Sequence, residues 1–436
     1  MRKLALLGGF AAAACAGTTF AGEVDPGLEA VLQQTAPDQV VSTLVFLDKQ
    51  FDAATKTKQL DMANATLAQR HEEVVLDLQM MAMATQGDLL RTLADLKAQN
   101  QVSDFHAYWI TNAIRVDSTP DVIRDLADRD DVYMVYYNYG IETIEPVSRN
   151  PELGNEIDNG MQNPAAEIGV EAIRAPECWA LGIDGTGRLV STLDTGVDGN
   201  HPALASRWRG LDSRYSSNPE WAFFDPVTGW TFPRDGGSHG THTMGTVCGG
   251  APGDPVGVAP GAEWIQAAVI DRVSIERTVA DALLAFEWTA DPDGNPNTNW
   301  DVPDTSSNSW GLVTGHGYPP CDETFWNHLD NVEAVGVVVL FSAGNEGFSG
   351  LRRPGDRATD DYRTCAVAAV DANNGSWPIA SFSSRGPTYC TPTAPRPSSP
   401  TLLPRVSMFG PPFRVVGTPT TPAHQWRRPM STASWP

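Results

Sequence analysis

The chain has 436 residues, of which 41% are hydrophobic and 19% are charged, and its formal net charge is −23. This length and composition are typical of a globular protein with two or three domains and a sizeable core. The large negative charge argues against nucleic acid as a partner, because binding to phosphates depends on basic side chains.

Residues 1–21 have the pattern of an export signal. Two basic residues at positions 2 and 3 precede an apolar run over 4–16, and small residues follow as far as 22. The run is too short to span a bilayer, and no later segment is typical of a membrane helix. The sequence therefore predicts a secreted or periplasmic protein without a membrane anchor. A buried helix and lipidation at Cys15 are the alternatives.

Residues 22–144 predict a small separate domain. Strand candidates at 39–47, 105–110, 113–116 and 132–137 are interrupted by a long helical stretch over 63–99 and by a helix that begins near Pro120. This β-α-β-β-α-β order is the ferredoxin-like pattern. The polar segment 145–169 is rich in Pro and Asn and predicts an exposed linker and processing region.

Residues 170–390 alternate between strand and helix patterns. Strands are predicted at 189–193, 263–270, 335–341 and 364–370, and a helix at 279–289. The run over 335–341 is unbroken and apolar, as expected of a strand buried on both faces. The pattern predicts an α/β domain with a mostly parallel sheet and flanking helices.

Three polar side chains follow these strands or lie in small-residue turns. The motif STLDTGVD over 191–198 places Asp194 at the end of a strand, where α/β sheets carry functional groups. The motif GSHGTHTMG over 237–245 places His239 at the start of a helix. The motif FSAGNEG over 341–347 places Asn345 on a Gly-flanked turn, where its amide can donate to a developing oxyanion.

Each motif taken singly has a plainer interpretation. Asp194 and Asn345 are ordinary turn residues in most such strings, and Asp-Thr-Gly also occurs in aspartic proteases. His239 and His242 could bind a metal, but the zincin pattern needs a four-residue spacing with a Glu between the histidines, and neither is present. His242 is therefore predicted to be structural.

In combination and in this chain order, the Asp, His and Asn motifs resemble the subtilases, the subtilisin-like serine peptidases. Two further segments resemble the same family. The string NSWG over 308–311 matches its substrate-binding strand and marks Ser309, Trp310 and Gly311, where the glycine would let a peptide backbone approach closely. The string SFSSRGP over 381–387 matches the turn before its serine segment. The resemblance spans residues 1–390 and implies a signal peptide, an inhibitory pro-domain and a catalytic domain.

The resemblance implies roles for the marked residues. His239 would take the proton of a serine hydroxyl, Asp194 would hold and stabilise the ring, and Asn345 would bind the oxyanion. The substrates would be proteins or peptides, and the pro-domain would act as an intramolecular inhibitor. No cofactor is implied. Members of the family bind structural calcium, but no segment of this sequence has a convincing calcium-ligand loop.

The last 46 residues, 391–436, depart from the family. The Gly-Thr-Ser-Met-Ala-type serine motif is absent, and the segment has no Asp or Glu, although 53 precede it. It also holds 11 of the 33 prolines. Back-translation in a frame shifted by two bases permits Gly-Thr-Ser-Val-Ala-Thr-Pro-His within 422–436, and a run typical of the family before its serine within 396–410. We therefore expect a frameshift between about 390 and 396 and an unpacked tail.

These observations predict a secreted serine endopeptidase precursor of the subtilase type that is inactive as encoded here. The alternative is a catalytically dead binding protein, whose pro-domain inhibits or chaperones a related protease. A metal-dependent hydrolase that uses His239 and His242 is a third, more distant interpretation.

Overall fold

The computed structural model describes residues 22–145, 168–251, 254–272, 275–313, 318, 322–357, 365–372, 374 and 376–386. The predicted export signal, most of the predicted linker and the acid-free tail lie outside these ranges.

The strands of the described residues are β1 (Glu23–Val24), β2 (Val41–Leu47), β3 (Val102–Tyr108), β4 (Ala113–Ser118), β5 (Val132–Tyr137), β6 (Gly140–Thr143), β7 (Leu189–Asp194), β8 (Phe223–Phe224), β9 (Gly250–Ala251), β10 (Asp254–Pro255), β11 (Glu263–Ala268), β12 (Arg277–Thr278), β13 (Thr305–Asn308), β14 (Trp310–Leu312), β15 (Val338–Ser342) and β16 (Cys365–Val367). The helices are α1 (Pro26–Leu32), α2 (Ala53–Met62), α3 (Leu67–Thr85), α4 (Gly87–Ala98), α5 (Pro120–Ala127), α6 (Ile168–Ala172), α7 (Ala175–Ala180), α8 (His239–Cys248), α9 (Val279–Ala290) and α10 (Trp326–Val335). No helix in the described part of the chain is both long and apolar enough to cross a membrane.

The N-terminal part folds around one sheet with the strand order β1-β5-β2-β4-β3. The strands β5, β2, β4 and β3 pair antiparallel, and β1 adds a parallel edge to β5. Valine side chains of β2, β4 and β5 form a core with Leu89 and Leu93 of α4. The arrangement confirms the predicted ferredoxin-like fold, and Pro120 begins α5 as predicted.

The prediction of one continuous helical stretch over 63–99 is wrong. It is split into α3 and α4, and α2 precedes both within 53–62. The break lies at Gln86, which is buried. Its side-chain amide donates to the carbonyl of Tyr108 (2.8 Å) and to the side chain of Asn112 (3.0 Å), so a contact with the β3–β4 turn fixes the break.

The larger body is built on a six-stranded sheet with the order β16-β15-β13-β7-β11-β8. All of its strand pairs are parallel, so the predicted α/β architecture is confirmed. Every residue of the central strand β7 is buried, as is every residue of β13. Cys248, at the end of α8, is buried in the core with a free thiol. Because β7 is central, the residue at its carboxyl end lies in the middle of the sheet edge.

The strand predicted at 335–341 begins three residues later than expected. Val335 is the last residue of α10, and Gly336, with φ of +125°, ends the helix before β15 starts at Val338. Apolar side chains run through both elements because both are buried. Apolar content alone therefore could not separate the end of the helix from the start of the strand.

The small domain docks on α9 and α10 of the larger body. Glu287 of α9 accepts hydrogen bonds from the backbone N–H groups of Trp109 (2.6 Å) and Ile110 (3.1 Å). Asn331 of α10 donates to the carbonyl of Ile110 (2.7 Å). Burial raises the pKa of the Glu287 carboxyl to about 7, although the two N–H donors act in the opposite direction. These contacts bring the end of the small domain to the edge of the larger body.

That end is β6, the central strand of a three-stranded antiparallel sheet with the order β12-β6-β14. Both neighbours of β6 belong to the larger body. The register places Ile141 opposite Arg277 on one side, and Glu142 opposite Gly311 on the other. The last residues of the small domain therefore lie between two strands of the body, as a peptide ligand would.

Candidate active site

Asp194 is the last residue of β7 and is almost completely buried. Its Oδ1 accepts a hydrogen bond from the backbone N–H of Thr195 (2.7 Å), and its Oδ2 accepts one from the hydroxyl of Thr243 (3.0 Å). Donors on two elements therefore fix the carboxylate. Thr195 and Thr243 were not marked by the sequence analysis, although Thr243 lies four residues after His239 on the same helix.

His239 is the first residue of α8, and its ring lies against Asp194. The distance from His239 Nδ1 to Asp194 Oδ1 is 2.8 Å, and the ring is buried. The other ring nitrogen, Nε2, lies 3.2 Å from the carbonyl oxygen of Ile144, the residue after β6. Because both nitrogens face oxygen acceptors, the doubly protonated ring is favoured.

The electrostatics of the ring agree with this geometry. Burial alone lowers the pKa of His239, but the charge and hydrogen bond of Asp194 outweigh it, with smaller contributions from the Ile144 carbonyl and the charge of Glu145. The net effect raises the pKa to about 9. His242 differs from His239. The residue as a whole is exposed, but its ring is partly shielded from solvent, and this partial burial lowers its pKa. The charge of the neighbouring His239 lowers the pKa of His242 further.

The raised pKa of His239 predicts a pH-dependent contribution to stability. A folded-state pKa of about 9 against an ordinary value of 6.5 gives a contribution that is complete below about pH 6.5 and is lost as the pH rises through 9. In the Asp194→Asn variant we expect most of this contribution, roughly 3 kcal/mol, to be absent. Urea unfolding of both proteins at pH 6 and pH 9.5 measures it. An equal change in the free energy of unfolding for both proteins would contradict the assignment.

Two glycines allow close backbone contacts at the turn after β7: Gly240 between α8 and that turn, and Gly196 between the turn and the segment that precedes α8. A Cβ atom on Gly240 would lie 1.9 Å from the carbonyl oxygen of Gly196 and 3.1 Å from Cβ of Asp194. Gly196 itself has φ of +117°, and its own Cβ would lie 2.0 Å from the carbonyl oxygen of Arg234. The contact between His239 and Asp194 therefore depends on backbone atoms that meet without side chains between them.

We expect Gly240→Ala to lower the free energy of unfolding by about 3 kcal/mol, because the methyl group meets backbone that cannot move freely. The matched control is Gly245→Ala in the same helix, where an added Cβ meets nothing within 4 Å. That variant should be stabilised by about 0.5–1 kcal/mol, because alanine favours the helix. Chemical denaturation measures both. Equal stability of the two variants would contradict the close approach.

Asn345 lies on the turn after β15, preceded by Gly344 with φ of +105°. Its side-chain Nδ2 donates to the carbonyl oxygen of Glu145 at 2.7 Å. Asn345 and His239 therefore contact carbonyl groups of two successive residues, Glu145 and Ile144, at the end of the small domain. The three candidate catalytic residues, Asp194, His239 and Asn345, therefore all lie at the carboxyl edge of the parallel sheet.

The segment Ser309, Trp310 and Gly311 lies alongside β6. The Ser309 carbonyl accepts a hydrogen bond from the N–H of Ile144 (2.8 Å), and β14 continues the pairing. Gly311 differs from expectation, because the atoms nearest to the position of its missing Cβ belong to the larger body and not to β6. A Cβ there would lie 2.5 Å from the carbonyl oxygen of Arg353 and 2.6 Å from Cγ of Arg352.

Metal binding by His239 and His242 has no support in this geometry. His239 pairs with Asp194, and no group of three or more His, Cys, Asp or Glu side chains in the described residues is placed to hold a metal ion.

The class of protein follows from sequence comparison together with this fold. A profile described as the subtilase family matches residues 185–415, so the match extends beyond residue 390, where the resemblance was expected to end. Bacillopeptidase F of Bacillus subtilis (strain 168) is 33% identical over 365 residues, which is 81% of this chain and 24% of that protein. Fervidolysin of Fervidobacterium pennivorans is 30% identical over 298 residues, 63% of this chain and 38% of that protein. The chain belongs to the subtilase family of serine peptidases.

A third relative and one solved structure are also similar to the chain. Subtilisin E of Bacillus subtilis (strain 168) is 26% identical over 277 residues, 61% of this chain and 64% of that protein. The crystal structure of fervidolysin, described as a keratinolytic enzyme related to subtilisin, covers 80% of this chain and 46% of its own, with a TM-score of 0.49 and 20% identity. The chain thus spans less than two thirds of the length of each of these relatives.

Proposed function

We propose that the chain derives from a secreted serine endopeptidase precursor, in which the small domain blocks the peptide-binding cleft of the catalytic body. The observation that carries the proposal is the position of Ile144 and Glu145. Their carbonyl oxygens contact His239 Nε2 (3.2 Å) and Asn345 Nδ2 (2.7 Å), the two groups that would act on a peptide carbonyl. Export through residues 1–21 is part of this proposal.

In the proposed reaction, His239 Nε2 accepts the proton of a serine hydroxyl as the oxygen attacks a peptide carbonyl. Asp194, held by two donors, fixes the ring through Nδ1 and stabilises the imidazolium that forms. The amide of Asn345 donates to the oxyanion. The proton on Nε2 then passes to the amine as the peptide C–N bond breaks, which leaves an acyl-enzyme. Water, deprotonated by His239, then attacks the acyl carbonyl and releases the carboxylic acid and the free serine.

The resting contacts also oppose this chemistry. A general base must have a free lone pair on Nε2, whereas the Ile144 carbonyl favours a protonated Nε2. The charge of Glu145 raises the pKa of His239 further. Withdrawal of the small domain removes the Ile144 carbonyl and the charge of Glu145 from the ring, which frees Nε2 to accept a proton.

The nucleophile is the missing part. We propose that a frameshift between about 390 and 396 has removed the serine motif from this chain, which is therefore inactive as encoded. The acid-free composition of 391–436 supports this. The absence of the serine motif from this chain also fits the second candidate, a catalytically dead binding protein whose small domain inhibits or chaperones a related protease.

Resequencing of the gene and expression with the frame restored test the proposal. We expect the restored chain to hydrolyse casein, to label with a fluorophosphonate probe, and to keep both properties in the presence of a zinc chelator. A restored chain that folds but neither labels nor hydrolyses casein would favour the binding protein. A stop codon in the shifted frame before the serine motif would contradict the frameshift.

A further inference from the structure

Arg352 has no role in the catalysis described above, yet its guanidinium lies at the edge of the cleft. Nη2 forms an ion pair with Oε1 of Glu142, a residue of the inserted strand β6. The side chain of Arg352 is only 7% exposed, whereas that of Glu142 is 40% exposed. The buried partner, Arg352, belongs to the catalytic body, and the accessible partner, Glu142, belongs to the strand β6.

The position of Arg352 is fixed by the body and not by β6. Its Nε and Nη2 donate to the carbonyl of Leu312 (3.1 and 2.9 Å), and its Nη1 lies 3.2 Å from Oε1 of Glu346. Glu346 is held in turn, because its Oε2 accepts the hydroxyl of Ser384 at 2.7 Å. The guanidinium is thus already oriented before any peptide arrives, as a recognition group should be.

The strand register determines which peptide residue meets Arg352. Glu142 pairs with Gly311 and lies two residues before Ile144, whose carbonyl faces His239. A peptide that takes the place of β6 in the same register brings its equivalent residue to the guanidinium. A carboxylate there gains a charge-assisted hydrogen bond, a neutral side chain gains less, and a basic one is repelled.

We propose that Arg352 is a specificity-determining residue that selects peptides with Glu or Asp at the position of Glu142. The inference rests on the proposed function, because it requires that peptides occupy the place of β6. It narrows the substrate class to acidic segments, and it makes Glu142 the part of the small domain that occupies this subsite in the precursor.

The test uses the full chain with Glu142→Lys, which places a cation against Arg352 and should release β6. Hydrogen exchange of the amides in 140–145 should then become at least about tenfold faster than in the unaltered chain, while the β7 amides stay protected. Three fluorescein-labelled peptides are then titrated against this variant: Gly-Ile-Glu-Thr-Ile-Glu, Gly-Ile-Gln-Thr-Ile-Glu and, as a control of equal charge to the second, Gly-Ile-Glu-Thr-Ile-Gln.

Fluorescence polarisation should give about tenfold tighter binding of the first and third peptides than of the second, because only the second lacks the carboxylate that meets Arg352. In the Glu142→Lys, Arg352→Gln chain, this preference should disappear. Equal affinity for all three peptides in the chain that keeps Arg352 overturns the specificity but leaves peptide binding intact. Unchanged hydrogen exchange of the 140–145 amides in the Glu142→Lys chain also overturns the specificity assigned to Arg352. Failure of every peptide to bind a chain whose 140–145 amides have been released overturns the proposed function as well.

Discussion

Replacing His239 by alanine in the chain with its frame restored is expected to lower kcat for peptide hydrolysis by about 10⁶-fold. This is the size of the loss for the triad histidine of subtilisin, a member of the same family. The physical reason is that His239 is the proposed acceptor of the serine proton, and the serine hydroxyl is a weak nucleophile without a base. Steady-state kinetics on a chromogenic peptide measure the effect, with active sites counted by probe labelling of the unaltered enzyme.

Two matched variants make this result specific. Asp194→Asn should lower kcat by about 10⁴-fold, because the ring loses the partner that fixes its tautomer. His242→Ala should keep kcat within a few-fold, because its exposed side chain lies one helical turn from His239 and the Asp194 pair does not include it. If His242→Ala, while well folded, loses as much activity as His239→Ala, the wrong histidine has been identified.

The second large effect concerns the chain as encoded. We expect it to stay at precursor size after purification, with no fluorophosphonate labelling and no casein hydrolysis. In the described residues, His239 Nε2 contacts the Ile144 carbonyl, and the serine motif of the family is absent from the sequence. Without a nucleophile, the peptide bonds near Glu145 that lie across the site cannot be cut by this chain.

Mass spectrometry and gel electrophoresis measure the size, and the frame-restored chain serves as the positive control. The serines of the tail offer the sharpest check, because Ser431 and Ser434 lie in no family context. Probe labelling that is abolished by Ser431→Ala or Ser434→Ala would show that the tail supplies a nucleophile, and the expectation of inactivity would then be wrong.

The sequence by itself determined the fold class and marked the candidate catalytic residues. Alternating strand and helix patterns predicted the parallel sheet, and Asp194, His239 and Asn345 stood out because each lies at a strand end or in a turn of small residues. Such signals are local: apolar periodicity and glycine turns are properties of a few consecutive residues.

The tertiary structure alone decided what these residues contact. The helix break at Gln86 depends on hydrogen bonds to residues more than 20 positions away. The strand β6 forms because Gly311 and Arg277 of the larger body lie on its two sides, and nothing in the Gly-Ile-Glu-Thr string indicates those partners. Arg352 reaches Glu142 across 210 positions for the same reason. Pairings over such separations arise when the packed domains bring their edges together, so no local pattern encodes them.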